Sequence, residues 1–408
     1  MASDQQRWAA RWIFPVSSPP LENATLIVSD GIIEDLYASK DARAVDLGPV
    51  ALIPGLVNAH THLEFSDREE PLAAPGCDFF DWISEVVVYR RRRSVAGPEA
   101  LFQTLQRGLR ECAKAGGALV ADIVTSEYDP GRFDTPHPRL VLFRELYTLR
   151  SEQVGTQLET ARRFVHRPVP SEQPPVVFGL SPHAPYTVHP DLFEGLVELA
   201  RRHQVPLAMH LAETQAELEL LRCGTGPCVE MLRRFGLWKG DLFARGTTVR
   251  DYLNRLADLD HALVVHGNYL NDDDVAFLAE HPHVSVIYCP RTHEYFGHPP
   301  HRWKEMLERG VSVAIGTDSR ASNPDLSVWN ELKFLRQRHP DVSPRVLLEL
   351  GTLGGARALG LDDQLGSLQR GKRAELAVVE LDSNAGSDPY KQLFGPASRI
   401  GPGPTSKG

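Results

Sequence analysis

The stretch PGLVNAHTHLEFS, residues 54–66, is where the chain changes character. Before it, ATLIVSDG (24–31) turns at Asp30-Gly31, IIEDLYA (32–38) follows, and AVDLGPVALIPGLVNAH (44–60) leads into two histidines. Short apolar runs punctuated by Gly and Pro describe a small β unit. From residue 57 onward, apolar runs recur with helical stretches between them. Counting PGLVNAH (54–60) there are eight, the others being ALVADIV (118–124), LVLFREL (140–146), VVFGLSPH (176–183), PLAMHLAE (206–213), ALVVHGN (262–268), VSVIYCP (284–290) and VSVAIGT (311–317). Intervening segments such as HPDLFEGLVELARRH (189–203) carry apolar residues three or four apart, the helical period. Gly116-Gly117 and Gly310 stand where helices should stop. Eight buried-type strands alternating with helices predict an α/β fold, a parallel (β/α)8 TIM-type barrel. An open doubly wound sheet would want a glycine-rich phosphate loop after its first strand, and none is present.

After residue 360 the chain regains β character in LGSLQRGKRAELAVVEL (365–381). That segment and the first strands are expected to pair as one small β-sandwich formed by both chain ends. The division is then 1–56 and 361–408 for the small domain and 57–360 for the barrel. The tail from Asp382, rich in Gly, Pro and Ser, is expected to be weakly ordered. The long, partly helical stretch 214–260 is expected to shape the active site.

Composition narrows the function. A chain of 408 residues with 42% hydrophobic content can bury a large core, and no apolar run is long enough to span a membrane. Net charge is −9 and the pI about 6.0, which disfavours nucleic acid as the main partner. The run Arg90–Arg93 is read as a solvated helix end or loop. Five cysteines without a CxxC pair, and no secretory signal, make a reduced cytoplasm the simpler location.

Barrel enzymes do their chemistry at the C-terminal ends of the strands. There the first run carries His60 and His62, which share a strand face, the fifth His210 with Glu213 just beyond, the sixth His266, and the eighth Asp318. Any one histidine of the 16 is better read as structural. Four histidines and an aspartate at four strand ends are better read as a metal site of His60, His62, His210 and Asp318. Such a set suits one divalent ion, zinc first, with iron(II) or manganese(II) as alternatives. A bound cation would make hydroxide available near neutral pH. His266 and Asp318 would orient water and take its proton, while Glu213 protonates a ring nitrogen of an aromatic amidine.

PGLVNAHTHLEFS, SPHAPYT, HLAET, VVHGN, CPRTHEYFGHPP and GTDSRASNPDLS together resemble the amidohydrolase superfamily, in its chlorohydrolase and nucleoside-deaminase branch. The likeness spans residues 24–380. It implies metal-dependent hydrolysis of carbon–nitrogen bonds, with His60, His62, His210 and Asp318 as ligands. It further implies Glu213 as proton shuttle, His266 as water-orienting residue and His183 as a contact to the substrate ring or ribose. The fourth run lacks the lysine that binuclear members carbamylate, so one metal is implied. Many such barrels are homodimers, although no stretch marks a partner surface.

HTHLEFS with CPRTHEYFGHPPH resembles the subgroup that deaminates 6-amino-6-deoxyfutalosine on the way to menaquinone. Arg144 and Arg291 are then candidates to pair a substrate carboxylate, against the alternative of structural salt bridges. Phe65, Phe79, Phe80 and Trp82 are candidate pocket walls, and Trp82 and Glu85 candidate ribose contacts. The competing functions are deamination of adenosine, methylthioadenosine or S-adenosylhomocysteine, hydrolysis of guanine or an s-triazine, and metal-stabilised binding without turnover.

Overall fold

The structure, a computed structural model, describes residues 5–134, 136–168, 176–240, 242–243 and 246–404. Five strands come first: β1 (Gln5–Ile13), β2 (Leu21–Ser29), β3 (Ile32–Tyr37), β4 (Val45–Asp46) and β5 (Val50–Pro54). Eight follow: β6 (Leu56–Thr61), β7 (Gly117–Val124), β8 (Arg139–Leu146), β9 (Val176–Pro182), β10 (Leu207–Leu211), β11 (Ala262–His266), β12 (Val284–Tyr288) and β13 (Val313–Ile315). Those eight are parallel and adjacent in chain order, with helices between. The runs are apolar on both faces because both are covered: β10, β11 and β12 are buried at every position. Leu119, Ala121, Val141, Phe143, Val265 and Ile287 meet in one buried cluster that fills the interior.

The barrel closes at residues that matter for chemistry. The amides of Thr317 and Asp318 both donate to the carbonyl of His60, at 3.0 and 3.1 Å. The side chain of Asn58 clasps Thr317 from the other side, its Nδ2 donating to Oγ1 at 2.8 Å and its Oδ1 accepting from the Thr317 amide at 3.1 Å. First and eighth strands are thereby joined beside the histidines.

Both ends of the chain build a second, seven-stranded sheet. β14 (Leu376–Glu380) lies antiparallel to β5, and β15 (Arg399–Pro402) antiparallel to β14. Two expectations change here. β1 lies ahead of the first strand read from the sequence: Trp8, Ala10 and Trp12 are buried, while Arg7 and Arg11 pair with Asp41 and Glu22. The tail is also ordered through Pro404. Asp382 accepts hydrogen bonds from the amides of Asn384 and Ala397, and Leu393 and Phe394 bury against the core, with Phe394 stacked on Trp329.

Helix α1 (Phe79–Lys114) covers the barrel mouth and then its side. Asp78 caps it by accepting from the amides of Phe80 and Asp81. Gly97, at φ 83°, followed by Pro98, breaks it into two arms. The first arm sets Phe79, Phe80, Trp82 and Val86 into a cluster with Phe65, Tyr186 and Met231. The second packs Phe102, Leu105 and Leu109 on β7 and β8. Each of these buried side chains contributes about 1.5–3 kcal/mol.

Candidate active site at the barrel mouth

His60, His62, His210 and Asp318 converge at the ends of β6, β10 and β13. The Nε2 atoms of His60 and His62 each lie 3.7 Å from Asp318 Oδ1, and the rings of His60 and His210 are 5.0 Å apart. One ligand atom each from His60, His62 and Asp318 falls within 4.8 Å of the others, as it does for His60, His210 and His266. Both ring nitrogens of buried His60 have no hydrogen-bond partner among the described residues. His210 donates from Nδ1 to the carbonyl of His183, 3.0 Å away, which fixes the tautomer and leaves the Nε2 lone pair free to bind a metal. Burial, then the neighbouring histidines, holds His62 and His210 well below the usual imidazole range, so they are neutral with lone pairs to give. Unpartnered, neutral and convergent nitrogens beside a carboxylate fit a metal site.

Glu213 follows β10, and its Oε1 lies 3.3 Å from His266 Nε2. Burial first, then the carboxylates of Asp318 and Glu217, pushes the Glu213 carboxyl well above the usual range. Its backbone is held by Glu217, which accepts from the amides of Ala212 (2.8 Å) and Glu213 (3.0 Å), and by Asn268, which donates to the Glu213 carbonyl. Ala212, His266 and Asp318 all have left-handed backbone, φ 54°, 71° and 54°. For non-glycine residues this costs about 1–3 kcal/mol each and re-aims the chain where β10, β11 and β13 end. None of those turns falls on Gly, though His and Asp adopt this conformation more readily than most residues.

The sequence reading missed a buried charge network. Arg90 and Arg93, expected on a solvated helix end, lie inside the first arm of α1 and close on Glu64: Arg90 donates from Nε at 3.0 Å and Nη2 at 2.7 Å, and Arg93 also reaches Glu64. Arg90 Nη2 also lies 3.5 Å from Glu145, which is fully buried. Burial opposes the Arg90 charge, but Glu64 and Glu145 outweigh it and raise its pKa. Arg91 and Arg92 remain exposed. The signal was present in Glu64, placed within the HTHLEFS motif and needing a cation once buried. Glu145 Oε1 stands 3.9 Å from His183 Nε2, while His183 Nδ1 pairs with Thr187 Oγ1 at 2.7 Å. Burial, then the Arg90 charge, pushes His183 down to about 3.

His183 and Arg90 border both the metal-site pocket and a larger outer cavity of about 580 Å³. The outer cavity is walled by Ile83, Val86, Tyr186 and Met231, with Arg91 and Arg150 beside them. Phe65, Phe79 and Trp82 line the inner pocket, but the Trp82 indole N–H is spent on the Ala321 carbonyl at 2.9 Å, and Glu85 is exposed and lines neither space. Arg144 and Arg291 are not brought to the site. On β8 it is Phe143 and Glu145 that face inward, so Arg144 points out and binds the carbonyls of Val124 and Thr125. Arg291 is clamped by Glu331 at 2.8 Å and Asp325 at 2.6 Å, a structural ion pair.

The amidohydrolase family model matches residues 51–399. The chain belongs to the amidohydrolase family. It is a hydrolase acting on carbon–nitrogen bonds. It is 33% identical over 347 residues to the aminodeoxyfutalosine deaminase of Deinococcus radiodurans, spanning 82% of this chain and 79% of that one. It is 29% identical over 367 residues to the 5-methylthioadenosine/S-adenosylhomocysteine deaminase of Syntrophobacter fumaroxidans, with 87% and 78% covered. In fold it resembles the crystal structure of Helicobacter pylori aminofutalosine deaminase in complex with methylthio-coformycin, with a TM-score of 0.80 at 22% identity and 95% of each chain covered.

Proposed function

We propose that this amidohydrolase deaminates a purine nucleoside, and that 6-amino-6-deoxyfutalosine, a precursor on the way to menaquinone, is its substrate. The observation that carries the reaction is the Glu213–His266 pair, 3.3 Å apart, facing the His60–His62–His210–Asp318 cluster. Those four residues would hold one divalent cation, with zinc the ion that three imidazole nitrogens and one carboxylate suit best. When bound, the cation acidifies water enough to supply hydroxide near neutral pH.

The protein's own groups do the rest. Glu213, kept protonated by its buried setting, donates to the ring nitrogen next to the carbon under attack. His266 and Asp318 orient the attacking water and accept one of its protons, which passes to the departing amine as the carbon–nitrogen bond breaks and ammonia leaves; the other water proton restores Glu213 as the carbonyl forms. His183, neutral and steered by Thr187, holds the base through Nε2. The first arm of α1 excludes water above the base.

The substrate reading rests on the relative at 33% identity and on the outer cavity. A benzoate on the ribose side would lie between Ile83, Tyr186 and Met231, its carboxylate toward Arg91 and Arg150, which replace Arg144 and Arg291 in that role. The same cations favour S-adenosylhomocysteine as the second reading, in keeping with the relative at 29% identity.

Ammonia release by the zinc-loaded protein tests this against aminodeoxyfutalosine, adenosine, methylthioadenosine, S-adenosylhomocysteine, guanine and an s-triazine. The highest kcat/KM is expected for aminodeoxyfutalosine. Preference for S-adenosylhomocysteine would transfer the same chemistry to the second reading, and turnover of the triazine alone would overturn the nucleoside assignment.

A further inference from the structure

A second cleft, about 750 Å³, lies between the second arm of α1, the helix Val328–Arg338 and β15. It shares no lining residue with the inner pocket or the outer cavity. Six cationic side chains line it against two carboxylates, on a chain whose net charge is −9. Both carboxylates are already matched. Glu111 takes Arg320 through Nε at 2.9 Å and Nη2 at 3.0 Å, and Asp325 takes Arg291, which stands outside the cleft. Arg110 turns to Asp134.

Four positive charges are left over. Arg107, Lys114 and Arg399 have no carboxylate within pairing distance among the described residues, and Lys333 reaches only the carbonyls of Pro396 (3.3 Å) and Ser398 (3.2 Å). They come from three parts of the chain far apart in sequence, so local helix pairing does not account for their meeting. Like charges gathered in a cleft repel one another, and an anion relieves that repulsion.

We propose that this cleft binds a small phosphate-bearing anion. Arginine and lysine suit phosphate oxygens by charge and by multiple donors, and the volume accommodates a phosphorylated metabolite. The cleft wall also touches the metal site through the chain: Arg320 is two residues from Asp318, and its Nη1 donates to the Arg68 carbonyl at 2.9 Å. An occupant that draws on Arg320 therefore acts on the loop that carries Asp318.

The test is calorimetric titration of the zinc-loaded full chain with fructose 1,6-bisphosphate at fixed ionic strength, with fructose as the uncharged control. One-to-one binding with Kd below about 1 mM is expected. Lys114 and Arg399 are exposed, so Lys114→Glu/Arg399→Glu should keep its melting temperature and zinc content while losing at least tenfold in affinity. Arg91→Glu/Arg150→Glu, at the outer cavity, should bind the bisphosphate as the unmodified protein does. Absence of binding, equal binding by the Lys114/Arg399 variant, or loss only in the Arg91/Arg150 variant would each overturn the proposal.

Discussion

Gly316 packs directly against His60: a Cβ on the glycine would stand 2.8 Å from the histidine's Cβ and 2.9 Å from its carbonyl oxygen. That carbonyl closes the barrel by accepting from Thr317 and Asp318. Gly316→Ala must therefore displace one ligand strand from the other. Overpacking of this kind costs about 1–3 kcal/mol. A lower melting temperature is expected together with a tenfold or greater fall in zinc affinity, read by competition with a chromogenic chelator. An unchanged zinc affinity would mean that the join between β6 and β13 does not set the ligand geometry.

Arg90 holds two buried carboxylates at once. Arg90→Ala leaves Glu145 without a cation and Glu64 with Arg93 alone. Breaking a buried pair by removing one partner costs about 3–5 kcal/mol. Urea unfolding should show a loss of that order, and Arg90→Lys a smaller one. A loss under 1 kcal/mol would show the network to be hydrated.

Asp122 predicts a pH dependence. It is fully buried, accepts from the Leu63 amide at 2.8 Å and the Tyr128 hydroxyl at 2.9 Å, and burial pushes it up to about 7. The folded state then binds more protons than the unfolded state between about pH 4 and pH 7. Stability from this group is full below pH 4 and is lost as pH rises toward 7. The span is about 4 kcal/mol. Asp122→Asn keeps an acceptor for Leu63 and should flatten stability between pH 5 and pH 7 in urea titrations. An equal slope in both proteins would assign it to other groups, with Glu217, also pushed up to about 7, the first to test.

The barrel was legible because parallel strands covered on both faces must be continuously apolar, and eight such runs stand out between helical periods. The histidines and Asp318 were legible because strand ends are where a barrel exposes chemistry. What failed was parity and partnership. Arg144 sits at a strand end as expected, but a one-residue offset from Glu145 turns it out of the barrel. The run Arg90–Arg93 resembles a solvated patch until Glu64 and Glu145 are seen to be buried beside it, contacts 26 and 55 residues distant for Arg90. Strand β1 and the ordered tail depend on pairing between opposite ends of the chain, which local patterns do not carry.

Glu213 carries the proposed chemistry most directly. Its carboxyl is assigned the proton donated to the substrate ring, and it takes no part in holding the metal. Ammonia release and bound zinc should be measured side by side on the unmodified protein and Glu213→Gln, with aminodeoxyfutalosine as substrate. One zinc per chain is expected in both, with a fall in kcat of about a hundredfold or more in the variant. Full zinc with undiminished kcat would contradict that assignment.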